Sequence, residues 1–202
     1  RRLQTDYLDV LLLHRPDALM EPEEVAEAFT RLQQEGKVRY FGVSNQNPAQ
    51  IALLQKYMSQ KLIVNQLQLS VTNCTMIDQG LNVNMENAPA VMRDGSVLDY
   101  CRLNDITIQA WSPFQYGFFE GVFIDNPKFP ALNAKLEELA QRYQATKNAV
   151  AIAWILRHPA NIQAILGTTN LQRVKDVCKA SEIRLTREEW YELYLSVGKQ
   201  LP

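Results

Sequence analysis

Five times along this chain an apolar run closes on a residue equipped for chemistry. Residues 7–13 end at His14, residues 38–43 at Ser44-Asn45, and residues 62–64 at Asn65-Gln66. Residues 106–110 end at Trp111-Ser112, and residues 162–166 at Gly167-Thr168-Thr169. Short β-rich runs separated by helical stretches predict repeated βαβ units and a parallel sheet. In such folds the working groups gather at the carboxyl ends of the strands, where these polar residues fall.

The intervening segments carry helix punctuation. Pro22 suits a first helical turn, Val25, Phe29 and Leu32 share a face, and Gly36 follows the helix end, where positive φ is cheap. Asn47-Pro48 opens a second helix that buries Ile51, Leu54 and Met58 at 3.6-residue spacing. A shorter helix covers residues 97–103. Leu132, Leu136, Leu139 and Tyr143 mark a longer one, followed by another over residues 148–157. Asn170 caps a helix carrying Val174 and Val177, and Thr186 with Glu189 forms a capping-box pattern ahead of Trp190 and Leu193. Residues 71–94 show little periodicity and read as a long connection, either a lid or binding loop or a surface insertion.

Composition narrows the function classes. A hydrophobic fraction of 47% over 202 residues is ample for one compact domain. With 21 Lys+Arg against 22 Asp+Glu, nothing supports a nucleic-acid or polybasic membrane role. No apolar run approaches the roughly 20 residues that span a bilayer. Cys74, Cys101 and Cys178 are widely spaced and read as reduced thiols of a cytoplasmic protein. Only His14 and His158 supply imidazole, so no metal centre is expected. His158, in Arg157-His158-Pro159, reads as a cation at a helix end. The acid pairs Glu23-Glu24, Glu137-Glu138 and Glu188-Glu189 are sequence neighbours on helices and are expected to face water.

Five β-α units are visible where a closed barrel uses eight, and no Gly-x-Gly-x-x-Gly turn supports an open dinucleotide-binding sheet. The motifs decide between these. Residues 8–17 (Leu-Asp-Val-Leu-Leu-Leu-His-Arg-Pro-Asp) resemble the fourth-strand motif of the aldo-keto reductases. Residues 35–45 (Glu-Gly-Lys-Val-Arg-Tyr-Phe-Gly-Val-Ser-Asn) resemble their fifth. Asn65-Gln66, Ala110-Trp111-Ser112-Pro113 and the run from Ile165 to Asn170 resemble the ends of strands six, seven and eight, in order. The resemblance covers nearly the whole chain. It implies an α/β fold, a (β/α)8 TIM barrel that is N-terminally incomplete, in which residues 1–202 are a single domain lacking the first three β-α units. The tryptophan form of the seventh motif suggests a bacterial branch.

The resemblance implies an NADP(H)-dependent oxidoreductase that reduces aldehydes and ketones, with NAD(H) as the alternative cofactor. A histidine ending an apolar strand can donate to a carbonyl oxygen and stabilise charge that develops as hydride arrives. The family gives its matching histidine that role, so His14 is the catalytic candidate; the plain alternative is a core histidine bonded to a backbone carbonyl. Ser44, Asn45 and Gln66 offer a hydroxyl and two amides, the donor and acceptor set that a nicotinamide carboxamide needs. For Asn45 the competing role is to cap the next helix. Trp111 is placed to stack on the nicotinamide ring. Ser112, Phe114 and Gly117 resemble the loop that wraps the cofactor pyrophosphate.

Gly167 and Thr168 precede a helix N-terminus, a natural phosphate site. Arg173 is either the ligand of the adenosine 2′-phosphate or an ordinary solvated arginine. Gly167 and Val177 depart from the lysine and asparagine common in relatives. Phe114, Phe118, Phe119 and Phe123 line a substrate pocket or pack a loop. The implied partner is a small-molecule carbonyl substrate; no feature sets an oligomeric state. In the family the proton donor is a tyrosine, assisted by lysine and aspartate, on the first three β-α units, at positions that precede Arg1. The alternatives are a cofactor-binding regulatory or scaffold member of the superfamily, and an inactive fragment.

Overall fold

The computed structural model describes residues 3–17, 20–81, 96–117 and 120–199. In chain order the elements are β1 (Leu8–Leu13), α1 (Pro22–Gln34), β2 (Val38–Ser44), α2 (Pro48–Tyr57), β3 (Leu62–Gln68), α3 (Thr75–Leu81) and α4 (Ser96–Leu103). There follow β4 (Thr107–Trp111), β5 (Gln115–Tyr116), β6 (Gly121–Val122), α5 (Pro130–Arg142), α6 (Lys147–Leu156), β7 (Gln163–Ala164), α7 (Leu171–Cys178) and α8 (Arg187–Leu195). The chain divides into two compact units, Arg1–Leu67 with Ser96–Ile108, and Gln68–Gly95 with Gln109–Pro202.

In the first unit β1, β2 and β3 run parallel, as the alternation of strand and helix predicts. Leu8 pairs with Val38 and Leu13 with Val43, and Val43 and Ser44 pair with Asn65 and Gln66. Gly42 allows the strands to approach, because a Cβ there would lie 2.6 Å from both Leu12 Cδ2 and the Val64 carbonyl oxygen. On the helical side Phe29 of α1 stacks on Phe41 of β2 at 4.2 Å, and Ile51 and Leu54 of α2 are fully buried. The expected face of α1 is shifted: Ala26 and Phe29 are buried, while Val25 and Leu32 are only half-buried. Gly36 closes that helix at φ +68, as its position required.

The second unit contains most of β4, whose Gln109 and Ala110 pair in parallel with Gln163 and Ala164. The last strand is two residues long rather than five, although the Ile165 N–H still donates to the Ala110 carbonyl at 2.9 Å. β5 and β6 form a small antiparallel hairpin that the sequence pattern did not predict. Helix α6 is buried from Ala149 through Ile155. Its Trp154 stacks on Trp190 of α8 at 4.7 Å, and each indole N–H donates to the other residue's carbonyl, at 3.0 and 2.9 Å. Both are core tryptophans, as their amphipathic helices suggested.

Three expectations are corrected here. The irregular connection contains α3, whose Met76, Ile77 and Asp78 are buried, so residues 75–81 are no surface insertion; residues 82–94 lie outside the described residues. Asp78 accepts from the Tyr194 hydroxyl at 2.8 Å and pairs with Lys199. Beside it, burial pushes the Cys74 thiol up to about 12, leaving it protonated and inert. Glu189 does not face water. It is 4% exposed and accepts from Arg142 at 2.6 Å, from the Tyr143 hydroxyl at 2.6 Å and from the Thr186 N–H at 2.8 Å. His158 accepts at Nδ1 from the Ala160 N–H at 3.2 Å, which requires the uncharged ring rather than the expected cation.

Candidate functional site

In the first unit, register assembles the strand tips. Leu13, Val43 and Asn65 are level across three neighbouring strands, which carries His14, Ser44 and Gln66 to the next level at the carboxyl ends. Adjacent strands are about 4.8 Å apart, so these side chains occupy one rim. His14 is exposed at the end of β1, where Arg15-Pro16 follows. Ser44 is 2% exposed, and its Oγ donates to the Gln66 carbonyl at 3.0 Å.

Asn45 adopts φ +54, a left-handed conformation that asparagine tolerates better than most side chains. Its N–H donates to the same Gln66 carbonyl at 2.9 Å, and its Nδ2 to Ser44 Oγ at 2.8 Å. The competing role for Asn45 belongs to Asn47, which caps α2 through a full capping box with Gln50. Gln66 is half-buried, and its main-chain oxygen holds both neighbours. A hydroxyl and two amides on one rim fit the donor and acceptor demands of a planar carboxamide.

Two further residues of this rim are polar and buried; the sequence argument placed Asn65 beside Gln66 at a strand end without a role of its own, and gave Gln46 no part. Asn65 is 0% exposed and Gln46 2% exposed, and Asn65 Nδ2 donates to the Gln46 carbonyl at 2.9 Å. The signal available was an asparagine inside an otherwise apolar strand.

In the second unit, Trp111 ends β4 half-buried, its carbonyl accepting from the Leu69 N–H at 3.4 Å. The chain then folds back sharply. Ser112 has φ +50 and Gly117 φ +56, the Ser112 carbonyl accepts from the Gln115 N–H at 3.0 Å, and the Gly117 carbonyl accepts from Gln68 Nε2 at 2.9 Å. A Cβ at Gly117 would lie 2.4 Å from the Glu120 carboxylate. Phe114 is half-buried and Phe123 fully buried, so Phe123 packs the loop; Phe118 and Phe119 lie outside the described residues.

After β7, Gly167 is exposed with nothing within 4 Å of an added Cβ. Thr168 Oγ1 accepts from the Asn170 N–H at 3.2 Å, and Asn170 caps α7 by accepting from the Arg173 N–H at 3.0 Å. The Arg173 side chain is exposed on the first turn. Val177 is buried and belongs to the packing face. Asp176 accepts from Gln172 at 2.7 Å along the helix surface. Among the described residues no group of three or more His, Cys, Asp or Glu could hold a metal ion, and no helix is long and apolar enough to cross a membrane.

Parallel strands alternating with helices, their polar tips on one rim, define an α/β protein. The sequence model of the aldo/keto reductase family matches residues 1–194, and the chain belongs to that family. It is 35% identical over 203 residues to the 6-dehydroglucose reductase of Agrobacterium fabrum (strain C58), which covers 100% of this chain and 61% of that protein. It is 37% identical to the uncharacterized oxidoreductase YcsN of Bacillus subtilis (strain 168), covering 99% of this chain and 61% of the relative. The aldo-keto reductase of Klebsiella pneumoniae in complex with NADPH superposes with a TM-score of 0.73 at 26% identity, over 95% of this chain and 59% of that one. The chain thus spans about 61% of the length of these curated relatives.

Proposed function

We propose that the whole protein reduces aldehydes or ketones to alcohols with NADPH. The observation that carries this reading is the register that brings His14, Ser44 and Gln66 to one level at the carboxyl ends of three neighbouring strands. The names of the relatives, which include reductases and oxidoreductases, and the NADPH-bound structure of a neighbour support it.

In this reading NADPH supplies the hydride, and the chain's own residues supply position and charge. In the first unit Ser44, Asn45 and Gln66 would hold a carboxamide, and in the second Trp111 would offer an indole face for stacking on a nicotinamide ring. His14 donates to the carbonyl oxygen and stabilises the charge that builds there. Residues 112–117, with Phe114 and Gly117, wrap the pyrophosphate. Gly167, Thr168 and the capped start of α7 would receive a phosphate, and Arg173 would take the 2′-phosphate that distinguishes NADPH from NADH. The proton for the product oxygen is assigned to a tyrosine in the part of the family barrel outside these 202 residues.

The test is His14→Ala in the full-length protein, assayed by NADPH oxidation with a panel of simple aldehydes and ketones. Loss of a positioned donor should lower kcat/KM by about 10²- to 10⁴-fold, with NADPH affinity unchanged. A loss below tenfold, or a parent protein that oxidises no NADPH with any of them, would sink the reading.

A further inference from the structure

Beside Gln66 stands a buried residue on which the geometry of the tip depends. One position back along β3, Asn65 points to the opposite face of the strand, where its Nδ2 lies 4.0 Å from Cys101 Sγ on α4. The same Nδ2 donates to the Gln46 carbonyl at 2.9 Å. The side-chain oxygen of Asn65 is buried without a hydrogen-bond partner. An apolar residue of the same size would suit that environment better, so burial does not account for an asparagine here. The bond to Gln46 does.

Asn45 sits between two anchors. The Gln66 carbonyl holds its N–H at 2.9 Å, and Asn65 holds the carbonyl of the residue that follows. Between them the backbone is fixed at φ +54, in a region that side chains other than glycine enter at a cost. With Gln46 released, the left-handed turn loses one of its two anchors, and the Asn45 amide is held less firmly in its place on Ser44 Oγ.

We propose that Asn65 is a positioning residue for nicotinamide: by holding the Gln46 carbonyl it keeps the Asn45 amide in the orientation that receives the carboxamide. The proposal rests on the reading of Ser44, Asn45 and Gln66 as carboxamide ligands given above.

The experiment uses Asn65→Leu in the full-length protein and two ligands, NADPH and 2′,5′-ADP, which carries the adenosine 2′-phosphate half without nicotinamide. The affinity for NADPH should fall by about tenfold, some 1.4 kcal/mol, while that for 2′,5′-ADP stays at the parent value. Hydride transfer from NADPH stereospecifically deuterated at C4 should lose facial fidelity. In a double-mutant cycle with Asn45→Gly, the second substitution should add little, since both act on one turn. If Asn65→Leu does not fold, Asn65→Ser, too short to reach Gln46, carries the same measurements. A variant that only lowers the unfolding midpoint, or one that loses both ligands equally, makes Asn65 structural and overturns the proposal. A parent protein that binds NADPH no better than 2′,5′-ADP overturns the carboxamide reading itself, and this one with it.

Discussion

Two connections in this protein have similar punctuation and opposite mechanics. Residues 44–47 lead from β2 into α2, and residues 167–170 lead from β7 into α7; each ends in an asparagine cap. The first is clamped. Ser44, Asn45 and Gln46 are each tied to Asn65 or Gln66, and a left-handed residue is locked in the middle. The second lies open, with Gly167 exposed and empty space around it. In the proposed reading the first would hold a planar ring with a fixed set of donors and acceptors, whereas the second would meet a phosphate through backbone N–H groups that it can approach. In the second unit the dense polar bonding lies instead in the helices, around Glu189 and the Trp154–Trp190 pair.

Gly42→Ala should break the clamped side most severely. The added methyl meets the Val64 carbonyl, which belongs to a backbone that cannot step aside, so a loss of about 3 kcal/mol is expected in urea unfolding. Next comes the helical network of the second unit. Burial pushes the Glu189 carboxyl up, but Tyr143, the Thr186 N–H and Arg142 together outweigh it and hold it below the usual carboxylate value of 4.5. Its stabilising contribution is therefore present above that value and is lost as the pH falls through the lowered one. Stability profiles between pH 3 and 6 should show this decline, and Glu189→Gln should flatten it at a cost of about 2 kcal/mol at neutral pH. The smallest effect belongs to the open side, where Gly167→Ala should leave unfolding within about 0.5 kcal/mol of the parent.

The strands, the major helices and the caps at Asn47, Asn170 and Thr186 were legible in the sequence because each has a local cause, a periodicity or a side chain that reaches its own helix start. Helix α3 has only seven residues, too few for a period to show, and its burial comes from partners such as Tyr194, far along the chain. The β5–β6 hairpin rests on two-residue strands with no run to detect. Of the site, residue types at strand ends pointed to His14, Ser44 and Gln66, and register brought these to one rim. Register is also why Asn65 had a place at a strand end but no role: a single-residue offset turns a side chain to the other face, and only pairing between strands says which face matters. Glu189 looked like a surface acid because its partners Arg142 and Tyr143 lie more than forty positions away.

The Gln66 carbonyl has a consequence for how this rim can change. It is a main-chain oxygen, present whatever amino acid stands at that position, and it alone receives both the Ser44 hydroxyl and the Asn45 amide N–H. A substitution at position 66 leaves that acceptor in place, so the bend at Ser44 and Asn45 should persist in variants whose side chain differs, as backbone amide exchange at Asn45 would report.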